Sequence, residues 1–302
     1  MAMNDFVVFI LTHNRPNNVI TYNSLRRSGY TGRIILLIDN QDQCADQYIK
    51  KYGDQVYIFD KNEIAKTFDE GDNFNDRRAV IYARNACFDV ANKLGIRFFI
   101  QLDDDYTCFY YRFNKNGFYN QRPISRFLDD VFNAIFEYYR DTPFYTIAIG
   151  QGGDYIGGGP GTSSESIRTK RKAMNSFFCD TQKKFKFVGR INEDVNTYTC
   201  EQRRGIYMLT IFGVSLNQKS TQSSDGGMTE LYIDSGTYIK SFYTVMYAPS
   251  CVKISYIAGY KNSISHPRIH HQVDWKLTAP YIINECYKKI APLSAEHETH
   301  DR

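Results

Sequence analysis

Four apolar runs in the first third of the chain, FVVFIL (6–11), RIILLID (33–39), QVYIFD (55–60) and RFFIQLDDD (97–105), constrain the fold more than any other feature. Short continuous runs of this kind suit strands buried on both faces. The stretches between them are long enough for helices. Asn17 to Arg27 suits a helix between the first two strands, and Ala79, Val80, Ala83, Ala86, Val90, Ala91 and Leu94 recur at helical spacing from Asp76 to Leu94. Gly95 supplies the stop. Strands alternating with helices imply an α/β fold, a mixed, mostly parallel sheet with helices on both faces. Ligands of such sheets bind beyond the carboxyl ends of the strands.

Beyond residue 105 the pattern loosens. CFYYRF and GFYNQR flank the NKNG turn as a hairpin, and Ser125 can cap a helix reaching Tyr139 whose Phe127, Leu128, Val131, Phe132, Ile135 and Phe136 form one stripe. FYTIAIG reads as a strand running into GQGGDYIGGGPG (150–161), a flexible connection that lacks the phosphate-loop pattern. IYMLTIF and VKISYI are further strands, a helix is expected near Glu230 to Met246, and NQKSTQSSDGG is a polar loop. No repeat or linker divides the chain. One domain is expected over 1–292, with a nucleotide-binding half (1–110), an acceptor-binding half (111–292) and a charged tail (293–302).

A formal charge of +4 does not diagnose a nucleic-acid binder. Arg168, Lys170, Arg171 and Lys172, echoed by Lys183, Lys184 and Lys186, read first as a solvated face. Seven scattered cysteines without CxxC spacing argue against a zinc site or a disulfide framework. Phe6 to Leu11 is too short for a membrane span and lacks the flanks of a signal peptide, so a cytoplasmic protein without membrane partners is expected. The 24 Tyr and 21 Phe exceed what stands out in an ordinary core, and some tyrosines suit stacking on bases or sugars.

The fourth run ends in Asp103, Asp104 and Asp105. Adjacent carboxylates repel and need water, a donor or a cation. A hard divalent ion, Mg²⁺ or Mn²⁺, takes one or two protein carboxylates together with substrate phosphates, and alternate aspartates of the run can face the same side. Asp39 closes the second strand, and THNRP (12–16) follows the first, so three strand ends can converge on one crevice. Thr12 and Arg15 suit a nucleotide and its phosphates, and Asp39 suits a base N–H or a ribose hydroxyl. Arg84 lies in a helix whose other face is core, where an arginine requires a carboxylate or phosphate partner. Asn85 beside it is a second donor for the nucleotide-sugar.

LTHNRP, the strand-ending Asp39, the ARN of the helix and the strand closing on DDD together resemble the nucleotide-sugar half of GT-A (Rossmann-like) glycosyltransferases over roughly the first 110 residues. NDRRAVIYARNACFD (75–89), LDDDY (102–106), VGRINEDVNTY (188–198) and HHQVDW (270–275) more specifically resemble the phage-type TET-associated glycosyltransferases. That resemblance implies transfer of a sugar, from a UDP-sugar, to hydroxymethylated pyrimidines in DNA, inside the host cytoplasm if the chain is phage-encoded. It places Asp103 and Asp105 on the metal and diphosphate and Asp104 near the ribose or donor sugar. It makes Asp194, with Glu193 second, the general base if the reaction inverts, a retaining reaction needing no such base, and His270 or His271 a late metal ligand.

Two rivals use the same residues. A nucleotidyltransferase or metal nuclease also gathers aspartates around a cation, and a non-catalytic nucleotide- or DNA-binding module can keep the same fold.

Overall fold

The computed structural model describes residues 6–155, 167–168, 171–219, 231, 236, 238–257 and 268–278. Much of the glycine-rich segment, Lys170, most of the polar loop and the tail lie outside the described residues.

The four apolar runs form β1 (Phe6–Leu11), β2 (Arg33–Asp39), β3 (Val56–Phe59) and β4 (Phe98–Asp103), paired in parallel in the order β3-β2-β1-β4. Leu11 lies opposite Asp103 and Asp39 opposite Phe59, so the carboxyl ends of all four strands share one edge of the sheet. Between the strands run α1 (Ile20–Arg27), α2 (Ala45–Tyr52), α3 (Lys61–Ala65) and α4 (Ile81–Lys93). α4 starts later than the apolar spacing predicts. The Asp76 carboxylate accepts from the backbone N–H and the Nε of Arg78, a local bond that competes with the first helical turn.

The order continues outward from β4 through β9 (Ser176–Asp180), β7 (Thr146–Gln151), β10 (Met208–Gln218), β5 (Tyr106–Phe113) and β6 (Tyr119–Pro123), with β8 (Ile167–Arg168) paired to β10. β9 is antiparallel to both β4 and β7. Two reversals bring β7, and β10 parallel to it, back to the direction of β4, so their carboxyl ends return to the same edge. β10 outruns the IYMLTIF reading because its register shifts between Ile211 and Ser215, a bulge that lets pairing resume along a polar stretch.

Helices cover both faces. α1, α2 and α5 (Leu128–Arg140) pack on a core containing Val8, Leu36, Ile100, Phe132, Phe136 and Phe178. α4 and α6 (Glu193–Glu201) cover the other face through Phe9, Phe99, Cys87, Phe177 and Tyr198. α7 (Ile239–Tyr247) covers the later part of the expected helix, most of whose earlier part lies outside the described residues, and β11 (Val252–Ile257) and β12 (Arg268–Val273) form a separate antiparallel pair followed by α8 (Trp275–Thr278). Among the described residues no helix is long and apolar enough to cross a membrane.

Candidate active site

The aspartate run is a turn held from beneath by one threonine. Thr21 of α1 donates its N–H to the Asp104 carbonyl at 3.0 Å and its hydroxyl to the Asp103 carbonyl at 2.6 Å, and accepts from the Tyr106 N–H at 2.9 Å. With its backbone clamped, the turn sends its three carboxylates to different surroundings. Asp104 is buried, where Thr12 Oγ1 donates to it at 2.7 Å and Arg15 Nε lies 3.4 Å away. Burial pushes its carboxyl up to about 6, although Arg15 and Thr12 oppose the shift. Thr12 also meets the Tyr48 hydroxyl at 2.8 Å, and the Arg15 N–H donates to that same oxygen at 2.8 Å. Asp105 is half-buried, and no described residue hydrogen-bonds or ion-pairs with its side chain. Burial, then Asp103 and Asp104, push its carboxyl up to about 7.

Asp103 faces Arg84, which is 1% exposed. Arg84 Nη2 lies 2.8 Å from Asp103 Oδ1, and its Nε donates to Glu193 Oε1 at 2.8 Å. The guanidinium packs over the rings of Phe177 (5.1 Å) and Phe187 (5.8 Å). Arg84 thus ties the strand-ending run to the start of α6. Burial lowers the Arg84 pKa, but the two carboxylates outweigh it and the net direction is upward. Glu193 is pushed up to about 7 by burial, against the pull of Arg84 and with help from neighbouring Asp194. Two carboxylates share one buried cation here, which explains why one of them resists ionisation.

Glu193 and Asp194 open α6. Asn192 turns the chain with a left-handed φ of 60°, a conformation asparagine tolerates. Asp194 is buried, and its Oδ1 accepts from the Val195 N–H at 2.8 Å. Among the described residues nothing takes up its Oδ2. Asn85, expected to donate to the nucleotide-sugar, is used otherwise. Its Nδ2 donates to the Phe187 carbonyl at 3.1 Å and its Oδ1 accepts the Phe187 N–H at 2.9 Å, which anchors the segment leading to α6 and leaves little for a ligand.

Asp39 is buried among donors. Lys61 Nζ lies 3.0 Å from one carboxylate oxygen, His13 Nδ1 lies 2.8 Å from the other, and the Gln41 N–H donates at 3.0 Å. Burial alone would raise its pKa, but His13 and Lys61 outweigh that and hold it below the usual range. His13, Tyr48 and Lys61 escaped the sequence reading. The signal for Lys61 was its place directly after the third strand, and for His13 its place inside THNRP.

His270 and His271 do not join the aspartates. They sit in β12 opposite Ser255 and Ile254 of β11, with rings stacked at 4.3 Å and His270 Nδ1 2.6 Å from the His271 carbonyl. Burial, then His270, Lys240 and Lys172, lower the His271 pKa to about 3. An imidazole surrounded by cations is a poor partner for another cation, and among the described residues no group of three or more His, Cys, Asp and Glu side chains is arranged to hold a metal.

Three side chains of the basic runs are committed to protein groups. Arg171 pairs with Asp154, Lys183 Nζ donates to the Thr142 carbonyl at 2.7 Å, and Lys186 donates to the Thr67 carbonyl.

A family model described as TET-Associated Glycosyltransferase matches residues 6–227, a span that contains every strand of the large sheet, the aspartate run and Glu193-Asp194. The chain belongs to the TET-associated glycosyltransferase family. It is a glycosyltransferase, and its sheet with helices on both faces agrees with the GT-A fold expected for it. His270 and His271 lie beyond the residues that match the family. No curated protein matches the chain. Among solved structures, glucosyl-3-phosphoglycerate synthase from Mycobacterium tuberculosis in complex with Mg²⁺ and uridine-diphosphate is similar at 7% identity, covering 89% of this chain and 88% of that one with a TM-score of 0.45. S. aureus TarS 1-349 is similar at 11% identity, covering 80% and 65% with a TM-score of 0.43.

Proposed function

We propose that this TET-associated glycosyltransferase moves a sugar from a UDP-sugar to the hydroxyl of a hydroxymethylated pyrimidine in DNA, with Mn²⁺ or Mg²⁺ at the aspartate run. The observation that carries the donor half is Asp105, a half-buried carboxylate whose burial and acidic neighbours raise its pKa to about 7 and which no described cation pairs. A hard ion needs few protein carboxylates when substrate phosphates supply the rest, so Asp105 fits one, with the part-exposed Asp103, whose oxygens accept from Arg84 and the Tyr106 hydroxyl, beside it. Bound there, the ion would neutralise the negative charge of the departing diphosphate.

The remaining roles belong to the chain's own side chains. Thr12 and Arg15 fix Asp104 at the crevice floor, where the Arg15 fork can also reach a phosphate. Asp39, held ionised by His13 and Lys61, presents a fixed acceptor to the nucleoside. Asp194 is the better general base of the acidic pair, because Glu193 is spent on Arg84 while Asp194 Oδ2 is not taken up by any described residue. In that role Asp194 takes the proton of the acceptor hydroxyl as its oxygen bonds to the anomeric carbon. The bond from that carbon to the diphosphate breaks, and the nucleoside diphosphate leaves. The family relationship supports the DNA acceptor.

The experiment combines the enzyme, Mn²⁺ and a mixture of nucleotide-sugars with hydroxymethylated and with plain DNA, then weighs the released nucleosides. The expected result is a gain of one sugar on the modified base only, abolished by chelation. Transfer to protein or glycan acceptors, with no gain on the base, would overturn the DNA acceptor and keep the sugar transfer.

A further inference from the structure

The segment from Tyr106 to Phe127 contains no Asp or Glu, four Arg or Lys and eight aromatic residues. It begins at the residue after Asp105 and forms β5 and β6, the outer edge of the large sheet. Every residue of β6 is exposed, and so are Lys115 and Phe118 in the turn that joins the strands. Phe118 is 62% exposed and Tyr119 38%, values that core packing does not explain.

Behind this surface lies a cation without a described counter-ion. Arg112 is 2% exposed, and its Nη1 donates to the Tyr119 hydroxyl at 2.9 Å and to Gln121 Oε1 at 2.6 Å, while its Nε donates to Ser215. Its guanidinium lies 4.2 Å from the ring centre of Tyr155 and 5.4 Å from that of Tyr110. On the outer edge Arg122 lies over Tyr111 at 5.7 Å. Buried cationic charge behind exposed rings, with no acid in the hairpin, favours an anionic partner that carries flat groups.

We propose that the β5–β6 hairpin is a stacking platform for one strand of the acceptor nucleic acid, which it leads towards the aspartate edge. The proposal rests on the DNA-acceptor reading above. Base–aromatic stacking is tolerant of sequence, and cationic side chains beside the rings track the phosphates. The path has the right length: Tyr106 to Arg112 spans about 20 Å of extended chain, room for a few nucleotides. Unlike Arg171, Lys183 and Lys186, which are bound to protein groups, exposed Lys115 has no described partner, and Arg122 is shown only over a tyrosine ring.

The test measures fluorescence anisotropy of a labelled single-stranded oligonucleotide carrying one hydroxymethylated pyrimidine, against wild type, Phe118→Ala and the double variant Lys115→Glu/Arg122→Glu. Phe118→Ala should weaken binding on the order of ten-fold. The double variant should weaken it at least as much and flatten the log-log salt dependence by roughly 0.7 for each phosphate that is no longer neutralised. KM for DNA should rise more than kcat falls, and the exposed positions leave the melting temperature unchanged. Wild-type affinity and salt slope in both variants, while wild type still transfers sugar to DNA, would overturn the platform alone. Variants that change only the sedimentation of the protein would assign the hairpin to an interface between copies and overturn it as well. No transfer to DNA by wild type would instead remove the acceptor reading, and the platform with it.

Discussion

The two sides of β4 treat charge in opposite ways. On the parallel side, the carboxylates at the strand ends are paired: buried Asp39 with Lys61 and His13, buried Asp104 with Thr12 and Arg15, part-exposed Asp103 with Arg84. On the far side, β5 and β6 carry no carboxylate, and the buried Arg112 is held by neutral oxygens and rings. A site that holds its acids in fixed geometry before a ligand arrives suits a small donor of constant shape. An open, cationic and aromatic edge suits a long acceptor of varied sequence. Asp105, at the junction, is the carboxylate that neither side satisfies.

Removing the bridge should break this contrast most severely. Arg84→Met leaves Asp103 and Glu193 without their common cation in a buried site, a change that typically costs about 3–5 kcal/mol. The expected outcome is a melting temperature lower by on the order of 10 °C, with sugar transfer abolished. Arg84→Lys keeps the charge but loses the fork that spans two carboxylates, so it should fall between the two. Scanning calorimetry at neutral pH checks both, and a wild-type melting curve for Arg84→Met would show that the ion pairs do not hold the two motifs together.

How much of this was legible in the sequence follows the same division. The parallel strands announced themselves through continuous apolar runs, and the partner required by Arg84 was foreseeable from its place in a helix with a core face. β9 was not. SFFCD is only five residues long, and it joins the sheet by pairing with β4, whose residues precede it by more than seventy positions, so no local pattern encodes it. The bonds of Asn85 to Phe187 were not legible because a buried amide next to a functional arginine serves the backbone as well as it would serve a ligand. Lys61 was missed because its value lies in a partner, Asp39, that only the parallel register brings within 3.0 Å.

The carboxyls near the junction give the fold a pH dependence of definite sign. Asp104 is raised to about 6, and Asp105 and Glu193 to about 7, all above ordinary carboxyl values. The folded chain therefore holds more protons than the unfolded chain between about pH 4 and pH 7. Their contribution to stability is complete below that window and is lost as the pH rises through the folded values. The melting temperature should fall between about pH 5 and pH 8, by a few degrees. Mn²⁺ with nucleoside diphosphate should restore it at the upper end, because a ligand that binds only the folded state stabilises it. Asp105→Asn should flatten the fall and remove the restoration. A flat profile in wild type would mean that water, not burial, governs these groups.

The smallest effect is expected at the histidines, and it sharpens the boundary of the donor side. His271→Ala removes a ring whose described charged neighbours, His270, Lys240 and Lys172, are cationic or can become so. If the cation site is built from the aspartate run alone, Mn²⁺-supported binding of nucleoside diphosphate in this variant should stay within about two-fold of wild type, less than about 0.4 kcal/mol. Stability should fall slightly, through weaker packing between β12 and α7. Isothermal titration with Mn²⁺ and nucleoside diphosphate separates the two readings. A loss of ten-fold or more confined to titrations with the metal would bring β12 to the cation and extend the donor side across the whole chain.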